Sequence, residues 1–431
     1  SAVDDGSLLI ASWNAASWAK SARLINRFHG NVGAWLDRHG IDVLCIQETK
    51  VQEDTLIQEQ AILGASLDGW DSFWACPLKK QNAIAGVATF ARKGSVRGAD
   101  ASPLGSVLDE EARCLVTDHG AFVIVNVYVP NPGQDRRRLP HAMCFLNRLR
   151  AHIQALRDQG RVVMLVGDLN LIARASDAPW RECNICLDHL TNESELGAWL
   201  AGNRQALEDS LRSKSVVETA AATQQWKVRC RRVGDGLFVD VGGPYTSESR
   251  ATDAFSLEAR KARLPSEDLD DVGKACGELL VRPAGTIRID ELMVACSKLL
   301  MREWPEECWR QLSNTYGVSR SPSVMSSWFQ ALTSCDGMID SFASLYPEAQ
   351  GRFTIWDQYT NERFTNTGAR IDYILVDQCL QKYMCKGHGL QRGSCWPPNR
   401  DVAGKDFPPG FVHLHRQSLP GEGCAETVRE A

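Results

Sequence analysis

The sequence predicts an α/β fold. Three observations carry that reading: short apolar runs rich in Val and Ile, amphipathic helical spacing between them, and polar residues gathered where the runs end. The runs are Leu8–Trp13, Val43–Ile46, Ala83–Phe90, Arg113–Val116, Ala121–Val129 and Val162–Val166. Runs this short suit strands buried on at least one face. Before the last of them, Leu139–Leu156 sets Leu139, Ala142, Met143, Leu146, Leu149 and Ile153 on one helical face, and Gly160 follows as a C-terminal stop. Residues 182–326 break the rhythm. Their apolar spacing is irregular, they mix Gly, Ser and charge, and only Ser194–Leu211 and Ile289–Met301 look helical. They read as a long insertion, partly helical or disordered, that divides one domain into residues 7–181 and 327–377. Strand-like signals return at Arg352–Trp356 and Ile371–Val376, and residues 378–431 form a divergent tail without a strong final strand.

Composition narrows the class. With 44% hydrophobic and 23% charged residues over 431 positions, the chain has the balance of a globular protein. No apolar run reaches the ~18 residues of a membrane helix, so no membrane partner is expected. The first residues are acidic and lack the basic start of a signal peptide, and position 1 is Ser, so a trimmed or incomplete start is expected. The net charge of −5, from 48 Lys and Arg against 53 Asp and Glu, neither points to nucleic acid nor excludes it. Local basic clusters stand at Lys79-Lys80, Arg136 to Arg138, Arg148 with Arg150, and Lys227 to Arg232. The 15 cysteines are odd in number and several sit in apolar runs, which favours reduced thiols and a reducing compartment. Cys183 and Cys186, with Cys385 and His388, are four residues of zinc-ligand type, but their spacing matches no known zinc module, and free thiols in loops are the plainer expectation.

The ends of the runs carry the chemistry. Asn14 ends the first, Gln47-Glu48 the second, Tyr128 lies near the end of the fifth, Asp168 and Asn170 follow the sixth, and Asp372 opens the last. A strand end can present polar groups without burying them in a core. Carboxylates and amides gathered there are oxygen ligands suited to Mg²⁺, an ion that polarises phosphate and lowers the pKa of an attacking water.

The motifs and their order then resemble the exonuclease III family of AP endonucleases. They are Ser12-Trp13-Asn14, Ile46-Gln47-Glu48-Thr49-Lys50, Gly86-Val87-Ala88-Thr89-Phe90, Asp109-Glu110-Glu111-Ala112-Arg113, Tyr128-Val129-Pro130-Asn131, Gly167-Asp168-Leu169-Asn170 and Arg370-Ile371-Asp372-Tyr373. Phe353-Thr354-Ile355-Trp356, followed by Asn366 to Arg370, is most similar to the eukaryotic AP endonuclease 2 branch. The likeness covers about Leu8 to Asp177 and Trp328 to Val376. It implies a four-layer α/β sandwich of two packed mixed sheets flanked by helices, the fold of the endonuclease/exonuclease/phosphatase superfamily. It implies Mg²⁺-dependent hydrolysis of DNA 5′ to an abasic site, with 3′-end cleaning, in base excision repair. Mn²⁺ is the alternative ion, DNA with abasic sites or blocked 3′ ends the partner, and the nucleus the location. By the same resemblance Glu48 is a metal ligand, with Asn14 and Asp168 beside it. Asp168 orients or deprotonates the attacking water, and Asn14, Asn170, Tyr128 and Arg370 hold phosphate. Asp372 orients a histidine. A monomer is expected, and no sliding-clamp motif is visible.

Three departures from the resemblance stand out. Ala16 occupies a position where the family has Asn or Asp. No Ser-Asp-His motif follows Asp372; of His388, His413 and His415, His413 lies in a strand-like stretch, Phe411–His415, but no Ser-Asp precedes it, and none takes over the role. The insertion is long. The last family strand is therefore expected to be absent, through truncation or decay. Two further readings follow: a catalytically impaired DNA-binding or scaffold protein, and a phosphodiesterase with another substrate.

Overall fold

The computed structural model describes residues 7–78, 84–132, 138–186, 190, 194–206, 225–231, 238–245, 276–280, 286–299, 302–318, 323–349, 351–356, 366–385 and 410–415. The first part of the chain forms β1 (Ser7–Asn14), β2 (Val43–Gln47), β3 (Trp70–Ala75), β4 (Val87–Arg92), β5 (Gly98–Asp100), β6 (Cys114–Asp118), β7 (Val123–Tyr128) and β8 (Val163–Asp168). Then come β9 (Asn184–Cys186), β10 (Gln225–Arg231), β11 (Phe238–Tyr245), β12 (Cys276–Leu280), β13 (Thr286–Arg288) and β14 (Gly317–Val318). The last third adds β15 (Met338–Asp340), β16 (Ile355–Trp356), β17 (Gly368–Ala369), β18 (Asp372–Asp377), β19 (Met384–Cys385) and β20 (Gly410–His415).

Two mixed six-stranded sheets result, in the orders β19-β20-β1-β2-β4-β3 and β15-β18-β8-β7-β6-β5. Side chains alternate between the faces of a strand, and the apolar residues sort accordingly. Ile10, Val43 and Cys45 of the first sheet meet Ile124, Met164, Val166, Ile374 and Val376 of the second in one buried core. The opposite face of the first sheet packs Ala11, Leu44, Ile46 and Phe90 under the helices Trp18–His29 and Val32–Arg38. Trp13, Trp18 and Trp35 crowd that layer, with ring centroids 5.8 Å apart for Trp13–Trp18 and 6.2 Å for Trp13–Trp35. On the far side of the second sheet, Val125, Val163 and Leu165 lie under the helices Leu139–Asp158 and Ser323–Gln330. The layers run helix, sheet, sheet, helix, as expected for the four-layer sandwich.

The long helix is also tied by charge. Arg150 clamps Asp336 through two hydrogen bonds of 2.6 and 2.7 Å, and Arg157 pairs with Asp377 at the end of β18. Gly160 follows the helix with φ +76°, as its stop role requires.

The insertion has a core of its own. Cys183, Ile185, Leu196, Leu200, Ile289, Leu292, Trp309 and Leu312 bury one another, around the sheet β13-β9-β14. The helices Glu195–Gly202 and Ile289–Leu299 fall within the two expected stretches, and a third, Glu306–Tyr316, joins them. Its edges differ from 182–326: Ala178 and Trp180 already belong to this core, whereas Val324 and Met325 belong to the main one.

The tail also departs from expectation. β20 pairs antiparallel with β1, Gly410 opposite Ser12 and His415 opposite Ser7, so a strand does close the first sheet. It was hard to read because it is short, follows two prolines and alternates His with apolar residues.

Gly167 shows how tightly β7 and β8 meet. Its φ is +136°, and a Cβ there would stand 2.0 Å from the carbonyl oxygen of Val127. Gly167→Ala is expected to cost at least about 3 kcal/mol, read as a fall in the urea midpoint, because backbone has no room to yield.

Candidate active site

Strand register builds the site. Asp168 lies opposite Tyr128 on parallel β7 and opposite Asp372 on antiparallel β18. In the other sheet, Asn14 at the end of β1 lies opposite Gln47 at the end of β2, with Glu48 next in the chain. Residues 10, 12 and 14, like 124, 126 and 128 or 164, 166 and 168, share the inner faces by the two-residue period. Moving along those faces, the apolar core gives way to polar groups at one end of both sheets.

Asn14 is the hinge of the arrangement. Its Nδ2 donates to Glu48 Oε1 at 2.9 Å and to Asp168 Oδ2 at 2.8 Å, while its Oδ1 accepts from the Ala16 amide at 2.9 Å. Both N–H groups and the carbonyl are committed, so the amide orientation is fixed. Asp168 Oδ1 accepts from the Asn170 backbone amide at 2.8 Å. The Asn170 side chain donates to Val129 O at 2.8 Å and accepts from Asn131 at 3.1 Å. It holds the loop after β7, and its second N–H has no partner among the described residues. Thr354 Oγ1 accepts from the amides of Ile371 and Asp372 at 3.0 and 3.2 Å, fixing the start of β18.

Backbone strain is concentrated here. Ala16, Glu48, Lys50 and Asn170 have φ between +49° and +53°, in the left-handed region. Asn tolerates that region; Ala and Glu enter it at a cost. Ala16 therefore holds, at a cost, a backbone conformation that Asn adopts more readily.

The electrostatics separate the acids. Burial would raise the pKa of Glu48, but donors from Asn14, Lys50 and Tyr128 outweigh it and keep the carboxyl below its ordinary value. Lys50 Nζ stands 2.9 Å from Glu48 Oε2. Asp168 is pushed well up, first by burial and then by the charge of Asp372. Asp372 is pushed up to about 7 by burial, with the Glu48 charge adding and the Thr354 hydroxyl opposing. The Tyr128 phenol is raised by burial and by Glu48, to which it donates.

A divalent cation fits these residues in an open form. Asp372 Oδ1 is buried and has no partner among the described residues. Glu48, Asp168 and Asp372 repel one another, and a cation would relieve all three. Among the described residues no cluster of three or more His, Cys, Asp or Glu is ready to enclose an ion. Mg²⁺ needs no such cage, since it keeps waters and takes one or two carboxylates plus substrate phosphate.

Arg370 is a correction. It is only 3% exposed. Its guanidinium bonds Asp177 at 3.0 and 3.2 Å and Asp340 at 3.1 and 2.5 Å, and it lies 4.4 Å from the Tyr373 ring centroid. It braces the loop after β8 against β18 and is not available to phosphate. An Arg flanking an Asp at a strand start looks the same in sequence whether it faces out or in; Asp177 and Asp340 were the missed signal. A cleft of about 700 Å³ opens near the β16–β17 hairpin, between Trp180, Arg310, Phe353 and Asn366, and none of the site carboxylates lines it.

The histidines remain apart. The register of β20 sets His413 opposite Leu9 and His415 opposite Ser7, five and seven residues back from Asn14 along β1. At about 3.3 Å per residue that is 16 Å or more from the site end. The sequence leading into β20 is Lys405-Asp406-Phe407-Pro408-Pro409, an acid followed by Phe where the resemblance expects Asp followed by His. Those five residues lie outside the described ones, as do His388, Lys79, Lys80, Arg136, Arg137 and Arg232. Cys183 is buried and in no disulfide among the described residues, its Sγ donates to Pro179 O at 3.7 Å, and burial raises its pKa.

Two outcomes follow. A raised folded pKa at Asp372 means stability is lost as pH climbs from about 4 towards 7. Asp372→Asn should therefore raise the Tm in EDTA at pH 8, by the equivalent of roughly 1–4 kcal/mol, with the gain vanishing near pH 4. Ala16→Asn should leave the Tm level or higher and tighten Mg²⁺ binding in a calorimetric titration.

Known proteins agree with this picture. The sequence profile described as "Endonuclease/Exonuclease/phosphatase family" matches residues 11–253, more than half of the chain. The DNA-(apurinic or apyrimidinic site) endonuclease 2 of Schizosaccharomyces pombe is 28% identical over 172 residues, 32% of this chain and 32% of that protein. The Homo sapiens protein of the same name is 29% identical over 188 residues, 36% of this chain and 35% of its own length. The match thus spans about a third of these curated relatives. The crystal structure of AP endonuclease LMAP from Leishmania major superposes with a TM-score of 0.52 at 18% identity, covering 95% of this chain and 87% of that one, a likeness of fold. With paired sheets, ordered motifs and profile in accord, the chain belongs to the endonuclease/exonuclease/phosphatase family.

Proposed function

We propose that this chain is a metal-dependent DNA-repair nuclease that hydrolyses the phosphodiester 5′ to an abasic site and trims blocked 3′ ends. The observation that carries the proposal is the single amide of Asn14 binding both Glu48 and Asp168, which joins a metal-type carboxylate of one sheet to a base-type carboxylate of the other. The likeness in sequence to proteins named as AP endonucleases gives the substrate class.

Each residue then has a task. Glu48, ionised, with Asp372 Oδ1 nearby, would hold Mg²⁺, or Mn²⁺ in its place. The ion supplies charge neutralisation at the scissile phosphate. Asp168, made more basic by its burial, would accept the proton of the attacking water. Asn14 keeps that carboxylate aimed. Tyr128 and the spare N–H of Asn170 would donate to phosphate oxygens, where preorganised donors stabilise the charge that develops. No base edge need be read; phosphate contacts position the strand. Ile355 is 48% exposed on β16 and lies opposite Ala369 on β17, where the resemblance has bulky aromatics at a sugar pocket. A roomier pocket there favours 3′-end trimming over incision.

Ala16 and the want of a Ser-Asp-His motif after Asp372 favour the second reading, a weakened nuclease that binds DNA. One experiment separates the two: a duplex with a single abasic-site analogue, with Mg²⁺ or EDTA, for the native chain, Glu48→Ala and Phe407→His. Mg²⁺-dependent incision, at least about 100-fold lower in Glu48→Ala, supports the nuclease. Phe407→His should raise the rate. Metal-independent binding with no cleavage by any of the three would sink it in favour of the binding protein. Ile355→Phe with Ala369→Trp should shift the product ratio towards incision; an unchanged ratio would refute the pocket argument.

A further inference from the structure

We infer that Arg113, anchored by Glu111, is a positioning residue that sets the Tyr128 hydroxyl; only the kinetic part of its test rests on the function proposed above. Arg113 is 1% exposed. Its guanidinium lies 4.6 Å from the centroid of the Tyr128 ring, and its Nη1 donates to the Tyr128 carbonyl at 3.2 Å. The Tyr128 amide donates back to the Arg113 carbonyl at 2.8 Å. Tyr128 is thus gripped through its ring and both its backbone groups by one residue, the one directly before the neighbouring strand β6.

A buried guanidinium holds such a place only if its charge is answered. Glu111 answers it: its carboxylate bonds Arg113 Nε and also accepts from Arg138 at 3.0 and 3.2 Å. His141 Nε2 stands 3.6 Å from the same carboxylate. Arg138 directly precedes, and His141 lies within, the first turn of the helix Leu139–Asp158, so Glu111 links both ends of the stretch that runs from Tyr128 to that helix. Between Glu111 and Arg113, Ala112 has φ +54° and is buried, a strained turn that a mere surface ion pair would not require. The phenol at the far end donates to Glu48. A shift of the guanidinium would therefore tilt the ring and move the hydroxyl relative to the carboxylate that would hold the metal.

The test is a double-mutant cycle of Arg113→Lys and Tyr128→Phe in the full chain, with a 19F spectrum of the protein labelled with 3-fluorotyrosine. Lys keeps the charge opposite Glu111 but loses the planar stack and the fork. Arg113→Lys should lower kcat by roughly tenfold to a hundredfold with KM within about twofold. On the Tyr128→Phe background it should cost little more, since no hydroxyl remains to misplace. The Tyr128 resonance, assigned by its loss in Tyr128→Phe, should shift or broaden in Arg113→Lys while the other six stay in place. Multiplicative losses in the cycle, or an unmoved Tyr128 resonance, would overturn the inference. If Arg113→Lys does not fold, Glu111→Gln replaces it in both measurements with the same expectations. If even the native chain cleaves no DNA, the functional proposal falls and the resonance alone decides on the positioning.

Discussion

Everything at the site depends on how the two sheets are bolted together. Gln47 of the first sheet donates to Asn126 Oδ1 of the second at 2.8 Å and to Ser12 at 3.2 Å, and Asn126 donates in turn to the Ala88 carbonyl at 2.9 Å. All three side chains are fully buried. Polar groups placed so deep must find partners, and the partners exist in one register only. A slip of one residue in β1 or β7 would turn Asn14 or Tyr128 outward and expose core residues. The bridge therefore fixes the distance over which the Asn14 amide can reach two acids on different sheets.

The site itself works against the fold. Three carboxylates face one another, and four non-glycine residues sit at positive φ, where the chain is strained. These costs are met by the three apolar layers on either side and between the sheets, and by ion pairs such as Arg370 with Asp177 and Asp340 that pin the loops. Stability and chemistry are thus divided between regions: the ends of the strands bear the strain, and their middles hold it.

Much of this was legible in the sequence. Six of the main strands were visible as Val/Ile runs because they are buried on both faces, and the helix Leu139–Asp158 because Leu139, Ala142, Met143, Leu146, Leu149 and Ile153 recur at helical spacing. The site residues Asn14, Glu48, Tyr128, Asp168 and Asp372 stood out as polar ends to apolar runs, and the structure gathers them. β3 did not stand out: as the edge strand Trp-Asp-Ser-Phe-Trp-Ala it is mostly half-exposed and carries no continuous apolar run. β20 was masked by its histidines and preceding prolines. Arg370 was misread because sequence does not say which way a side chain points at a strand start. The insertion's core escaped because its apolar residues come from segments more than 100 positions apart, Ile185 and Leu312 for example.

The crowding of Trp13, Trp18 and Trp35 has an optical consequence. These indoles, with Trp74 and Phe90 nearby, lie on the outer side of the first sheet, away from the inner face that carries the acids. At such separations their excited states couple and pass energy among themselves. Near-ultraviolet dichroism will carry a signature of this aromatic layer beside that of the Trp199–Trp304 pair, 6.0 Å apart in the insertion. Loosening of the N-terminal helices from their sheet would part these rings and change that signature.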